Sequence, residues 1–390
     1  MKYAMNVLLL SQFFSLTKGG GEYVFSLIAK SLADEGNNVW VITNRIKNEV
    51  YPTHKNIKII FVPPTLEYRG GLPTGFYENL RYTIGAIRKG LSIIKKEKIN
   101  MVHSNNFAPA LAGSILSTLT GKPHITTIHD VFSLCGRQYW KLWGRQTNVS
   151  KISVFLAPLF EKMIIRLKHK AIHTVSETTK EDLIKFGSKK SIYVIPNGIE
   201  IDNIKSYEPR PFQFVYIGRL VFYKNLEVAI KAIAIVKESF PNIRLIIAGG
   251  GPHKGNLEKL VNDLKLQQNV KLVGYVSEKE KEILLGTSHG LVFPSLCEGF
   301  GIVILEAFVQ RKPVLVSNIR PLSDIVTNNV TGFVISPHDE NEWAKAFMYV
   351  IENPEKSSQI GETGRKELEK TYSFENMKEK ILKMYNDLVE

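Results

Sequence analysis

Glu298 and Glu306 stand eight residues apart in the stretch Ser295-Leu-Cys-Glu-Gly-Phe-Gly-Ile-Val-Ile-Leu-Glu-Ala307. Two carboxylates at short spacing raise acid/base chemistry, the arrangement a glycosidase uses to flank a bond. Their surroundings point elsewhere. Residues 290–293 read as a strand and residues 302–310 as a helix, so Glu298 belongs on the loop before the helix and Glu306 about one turn inside it. Gly299 and Gly301 free the backbone N–H groups at that helix start to face a phosphate or a sugar hydroxyl. A carboxylate in so apolar a helix is costly to bury unpaired, so a ligand contact explains Glu306 better than an ordinary core helix does.

Three other groups of residues could share that ligand. In Ile217-Gly-Arg-Leu-Val-Phe-Tyr-Lys-Asn225, Arg219 and Lys224 follow a strand and precede a helix, where two cations can clamp a diphosphate. An isolated pair of this kind is more often two exposed loop cations, but Ala248-Gly-Gly-Gly-Pro252, ending the next strand in a glycine turn, strengthens the functional reading. In Thr126-Thr-Ile-His-Asp130 a polar pair ends a buried strand; His129 could donate to a substrate and Asp130 orient it. Lys18-Gly-Gly-Gly-Glu22 lies between the first strand and the first helix, a tight turn that also lets an anion or a substrate oxygen approach the backbone.

These groups need a scaffold, and the sequence describes one. Apolar strand-like runs alternate with helix-length amphipathic segments, the pattern of a parallel sheet covered by helices. In the first half the runs are 6–10, 38–42, 57–62, 101–103, 124–128, 171–175 and 191–195; in the second, 212–217, 243–248, 270–273, 290–293, 313–316 and 332–335. The proline-rich polar stretch 196–211 separates them. The expected architecture is α/β, with an N-terminal doubly wound domain over 1–200, a second over 201–372, and an amphipathic helix over 373–390 that packs back on the first. Two such domains facing one another would bring the carboxyl ends of both sheets to a shared cleft. Residues 66–82 read as a loop, and residues 130–148 as an aromatic, basic segment without clear periodicity.

Composition is that of a soluble globular protein, with 44% hydrophobic and 23% charged residues. The net charge of +14 is unevenly placed: residues 1–200 hold 27 Lys and Arg against 13 Asp and Glu, whereas residues 201–390 hold 24 against 24. The N-terminal half should therefore meet something anionic. The start, MKYAMNVLLLSQFF, reads as a buried strand, since it lacks a small-residue cleavage site and runs into the glycine loop. No run of about 18 apolar residues suggests a spanning helix. Two cysteines far apart, Cys135 and Cys297, show no metal-ligand spacing and fit a reducing cytoplasm.

Taken in order, Gly-Gly-Gly, Thr-Ile-His-Asp, Val-Ile-Pro-Asn-Gly-Ile, Ile-Gly-Arg-Leu with Lys224, Ala-Gly-Gly-Gly-Pro and Glu-Gly-Phe-Gly with Glu306 resemble the retaining glycosyltransferases of family 4, which have the GT-B fold. The resemblance covers nearly the whole chain. Its most specific part is the Glu-x7-Glu pattern of Glu298 and Glu306, and the glycine loop is the least specific. It implies that Arg219 and Lys224 hold the donor's diphosphate, that Glu298 contacts hydroxyls of the transferred sugar, and that Glu306 accepts from the ribose. Backbone at Gly299, Phe300, Gly301 and Ile302 would reach the phosphates and the sugar; Gly250 and Tyr275 would lie by the nucleotide. Gly19 and Gly20 would face the reaction centre, with Gly20, Gly21, His129 and Asp130 on the acceptor side. His129, Arg219, Lys224 and Glu298 carry the catalytic roles. Retention is attributed in this family to front-face attack in which the leaving phosphate takes the acceptor's proton.

The chain contains no Asp-x-Asp, the pair that commonly holds the divalent ion in metal-dependent glycosyltransferases. With Arg219 and Lys224 supplying charge directly, neither metal nor cofactor is expected. The donor is a UDP- or GDP-sugar, undecided between them. Residues 153–170 and 87–96 combine bulky apolar residues with basic ones, as helices at a membrane interface do, so a lipid-linked or oligosaccharide acceptor and an anionic membrane surface at the inner face of the cell membrane are the expected partners. A sugar-nucleotide epimerase or a glycoside phosphorylase would use the same fold. A nucleic-acid-binding protein would explain the basic half but leave the motifs of the neutral half idle, so no nucleic acid is expected.

Overall fold

The computed structural model describes residues 4–15, 19–47, 49, 51–67, 75–136, 139–147, 151–201, 205 and 207–389. Among them two parallel sheets form. The first contains β1 (Asn6–Leu10), β2 (Asn38–Ile46), β3 (Ile57–Leu66), β4 (Met101–Ser104), β5 (His124–Thr127), β6 (Ala171–Thr174) and β7 (Ser191–Val194), in the order β3-β2-β1-β4-β5-β6-β7. The second contains β8 (Gln213–Ile217), β9 (Arg244–Ala248), β10 (Val270–Gly274), β11 (Gly290–Phe293), β12 (Val314–Ser317) and β13 (Gly332–Ile335), in the order β10-β9-β8-β11-β12-β13. Every strand falls on one of the mainly apolar runs of the sequence, as a sheet covered on both faces favours. Leu8, Leu9, Val102, Val215, Ile247 and Val292 are accordingly buried.

The chain divides into two units, Met1–Gly198 with Phe374–Glu390, and Ile199–Ser373. In the first, the closing helix Phe374–Val389 lies on the helix Gly20–Asp34. Lys378 pairs with Glu35 at 3.0 Å, and Lys30 sits 5.1 Å above the Phe374 ring. Buried Met377, Ile381, Met384 and Leu388 form the apolar stripe of the closing helix. In each sheet the strand order reverses once, between β1 and β4 and between β8 and β11. Such points leave a crevice at the carboxyl ends of the strands.

Two segments depart from the sequence reading. Residues 66–82 do not form one loop: a helix spans Phe76–Lys96, starting behind Gly75, whose N–H is capped by the Glu78 carboxylate at 2.7 Å. That reciprocal bond is a helix start without the Ser or Asp that usually signals one. Residues 68–74 lie outside the described residues. Within 130–148 a 3-10 turn at Phe132–Leu134 and a helix at Tyr139–Thr147 appear. Buried Glu161 organises the turn by accepting the N–H groups of Phe132 and Ser133 at 2.7 and 2.9 Å. Residues 137, 138 and 148 lie outside the described residues.

The first sheet holds a feature that sequence reading passes over. Because alternate residues of a strand face opposite ways, β4 and β5 build one polar network on each face. On one, His103 Nδ1 meets the Tyr385 hydroxyl at 2.5 Å and His103 Nε2 meets Thr127 Oγ1 at 2.7 Å, which in turn meets His173 Nδ1 at 2.9 Å. On the other, Ser104 Oγ meets His124 Nε2 at 2.8 Å, and Thr126 Oγ1 meets His169 Nδ1 at 2.8 Å. Burial, with smaller effects from neighbouring histidines, pushes His124 and His173 down to about 3 and His103 well below its ordinary value. Burial likewise takes His169 down to about 4. All four are neutral in the folded protein near pH 7.

Candidate active site

The predicted residues of the second unit gather along one edge of its sheet. Past β8, Arg219 Nη2 donates to the Tyr223 hydroxyl at 2.8 Å, and the Arg219 carbonyl accepts from Tyr216 Oη at 2.8 Å. Lys224 ends the short 3-10 turn that follows, its ammonium 5.5 Å from the Tyr223 ring centre and 4.9 Å from that of Phe293. Past β11, Glu298 pairs with Lys224, and both side chains are largely buried. The Leu296 N–H donates to the Tyr223 carbonyl at 2.7 Å, locking the two loops together across the point where the strand order reverses. Gly301, in the left-handed conformation, starts the helix Ile302–Val309; Gly299 and Phe300 before it are buried, and Ile302 is half-buried.

The Gly249-Gly250-Gly251 turn past β9 fits directly against the Arg219 loop. Leu220 N–H donates to the Gly250 carbonyl at 2.9 Å and His253 N–H to the Leu220 carbonyl at 2.9 Å. A Cβ on Gly249 would stand 1.9 Å from the Gly218 carbonyl oxygen, so only glycine permits this approach. Past β10 the Tyr275 ring lies against Gly250 and is 64% exposed, an aromatic face open to a ligand.

Glu306 is not left waiting for a ligand. Its Oε1 accepts from Lys281 Nζ at 2.6 Å, and the same ammonium bonds Glu278 Oε2 at 2.6 Å. Burial alone would push Lys281 down, but Glu306 and Glu278 outweigh it and push it up. Sequence reading misses Lys281 because its partner lies 25 residues away. The available signal was Ser277-Glu-Lys-Glu280, a capping box that fixes the helix Glu278–Thr287 and hence the direction of Lys281. Tyr223, which holds Arg219 from only four residues away, is missed for a different reason: an aromatic in an apolar loop reads as core.

In the first unit, the helix Gly20–Asp34 starts behind Gly19, whose φ is 74°. Gly19 and Gly20 are exposed, and Gly21 faces His129: a Cβ on Gly21 would lie 3.2 Å from His129 Nε2. That nitrogen is buried without a hydrogen-bond partner among the described residues, and burial pushes the imidazole down to about 4. The His129 carbonyl is held by Thr179 Oγ1 at 3.1 Å, and Asp130 follows half-buried. The structure thus brings together Gly21 and His129, which are 108 residues apart in the chain. Lys18 lies outside the described residues.

Two family models match the chain, one described as Glycosyltransferase Family 4 over residues 18–203 and one as Glycosyl transferases group 1 over residues 198–367. The chain belongs to the family 4-like glycosyltransferases. This glycosyltransferase is 27% identical to an uncharacterized glycosyltransferase of Methanocaldococcus jannaschii, over 98% of this chain and 99% of that protein. It is also 27% identical to a capsular polysaccharide biosynthesis glycosyltransferase of Staphylococcus aureus, over 78% and 81%. Its fold is similar to that of sucrose-phosphate synthase from Thermosynechococcus elongatus, with a TM-score of 0.82, 19% identity, and 98% and 99% of the chains covered. An Anabaena protein solved in complex with UDP and glucose matches with a TM-score of 0.74 and 18% identity over 98% and 100%. The two sheets are those of a GT-B glycosyltransferase.

Proposed function

We propose that this glycosyltransferase transfers a hexose, with retention of configuration and without a metal, from a nucleoside diphosphate sugar to a hydroxyl of a lipid-linked or cell-surface glycan intermediate. One observation carries the donor reading. Tyr275, Gly250, Arg219 with Lys224, and Glu298 follow β10, β9, β8 and β11, four consecutive neighbours in the sheet. At about 4.8 Å between strands they span about 14 Å, the length of a base, a diphosphate and a sugar laid end to end. An aromatic face stands at one end, cations in the middle and a carboxylate at the other, in the order such a donor requires. The Anabaena protein's UDP and glucose are the same ligand class; for this chain UDP and GDP both remain candidates.

The residues then divide the work. Arg219 and Lys224 neutralise the diphosphate as its oxygen leaves the sugar's anomeric carbon, which is where negative charge grows. Glu298, already oriented by Lys224, accepts from a sugar hydroxyl. The acceptor oxygen attacks from the face the phosphate leaves, and its proton passes to the departing phosphate oxygen. Gly20, Gly21, His129 and Asp130 serve the acceptor side, where the neutral imidazole can donate a hydrogen bond. Thermal-shift measurements with UDP, GDP and their sugar conjugates test this: at one hundred times Kd a bound nucleotide adds about 2.7 kcal/mol of stability. If none of them raises the melting temperature, the donor site is misassigned.

The acceptor reading rests on the outer surface of the first unit. The helix Lys151–Arg166 exposes Ile152, Phe155, Leu156, Leu159 and Met163, a single stripe at helical spacing, flanked by Lys151, Lys162 and Arg166. The helix Phe76–Lys96 exposes Tyr77, Leu80, Ile84 and Leu91 beside Arg81, Arg88 and Lys95. Apolar stripes edged by cations suit an anionic bilayer surface, where each cation adds about 1 kcal/mol. Among the described residues no helix is long and apolar enough to cross a membrane; the contact proposed is peripheral, at the inner face. In flotation assays the protein should rise with anionic vesicles and stay behind with neutral ones; equal recovery from both would remove the electrostatic part of this proposal.

A further inference from the structure

In the Glu278–Lys281–Glu306 group only Glu306 has a role so far, the ribose contact that the family resemblance implies; Lys281 and Glu278 have none. Two carboxylates around one ammonium leave a net charge of −1, which repels phosphate and attracts hydrogen-bond donors. Lys281 Nζ occupies Oε1 of Glu306 at 2.6 Å. Oε2 of the same carboxylate accepts no bond among the described residues and is not among their buried, unpartnered atoms. It is therefore an open acceptor with a fixed direction. The fixing is thorough: Lys281 stands on a helix whose start is closed by Ser277 and Glu280 bonding each other's backbone, and Glu306 stands on an apolar helix whose Leu305 and Ala307 are buried.

We propose that Lys281 is a positioning residue that holds Glu306 so that its second oxygen accepts from the ribose hydroxyls of the donor nucleotide, making the site selective for ribonucleotides. The inference rests on the donor reading above. Without Lys281 the Glu306 carboxylate is free to rotate or to take up a proton, and in either case a diol loses its acceptor. The ammonium need not touch the nucleotide.

Calorimetric titration of UDP and GDP against their 2′-deoxy counterparts tests the assignment. Wild type should prefer the ribo form by about ten- to hundredfold, the worth of one hydrogen bond to a charged group. Lys281→Met should lower affinity for the ribo form and leave the 2′-deoxy form nearly unchanged, bringing the two within about twofold. Lys281→Arg, which keeps the cation between the carboxylates, should retain most of the preference, and its melting curve separates positioning from folding. A Lys281→Met protein that still discriminates as wild type does overturns the proposal, as does a wild type that binds both forms equally. Wild type that binds neither nucleotide overturns the donor reading itself.

Discussion

Replacing Lys224 with methionine should lower kcat/KM by about one to two orders of magnitude. Two losses combine. A charge-assisted bond to a diphosphate oxygen is worth about 1.5 to 3 kcal/mol. The substitution also strips the counter-charge from Glu298, whose side chain is 12% exposed, and removing one partner of a buried pair typically costs about 3 to 5 kcal/mol. The ammonium sits over the faces of Tyr223 and Phe293, so methionine fills the same space without strain, and the loss reports charge. Glu298→Gln provides the control: in the Lys224→Met background it should recover stability, since no uncompensated charge remains, but not transfer. A double-mutant cycle on melting temperature and kcat/KM separates the two effects. Lys224→Met activity within threefold of wild type would show that the diphosphate is held elsewhere.

Lowering the pH from 7 to 5.5 should destabilise the first unit by several kcal/mol. His103, His124, His169 and His173 are buried, and burial holds each below its ordinary value. Their folded values lie below the value of about 6.5 that an unfolded chain shows, so the unfolded state takes up protons first and stability falls as pH drops. Each histidine costs about 1.4 kcal/mol per pH unit below 6.5, until its own folded value is reached. Four of them remove about 5 kcal/mol between pH 6.5 and 5.5, a large part of a domain's total stability. Circular dichroism melts at pH 7.5, 6.5 and 5.5 should show a steep fall in midpoint over the last interval. A midpoint flat across that range would mean that these imidazoles are already charged, or exposed, in the folded protein.

Some of this was legible in the sequence and some was not. All the strands announce themselves, because a parallel sheet buried on both faces writes a short, mainly apolar run for each. The loops bearing Arg219, Lys224, Glu298 and Tyr275 follow those runs directly, so their place at one edge follows from the alternation alone. What stayed hidden is pairing. That Glu298 meets Lys224 and that Glu306 meets Lys281 depends on which helices cross over the sheet, and no local spacing encodes that. The histidine networks were invisible for a related reason. His103, His124 and His173 sit inside apolar runs, and only strand register shows that Thr126 and Thr127 reach them.

The last helix gives the first unit a dependence on time. Tyr385 supplies the hydroxyl that meets His103, and the Leu388 carbonyl accepts from Lys170, so part of the first sheet's covering is translated only after the whole of the second unit. The second unit, continuous from Ile199 to Ser373, has all of its strands in hand before then. The half of the molecule that is translated first is thus the half that completes its core last.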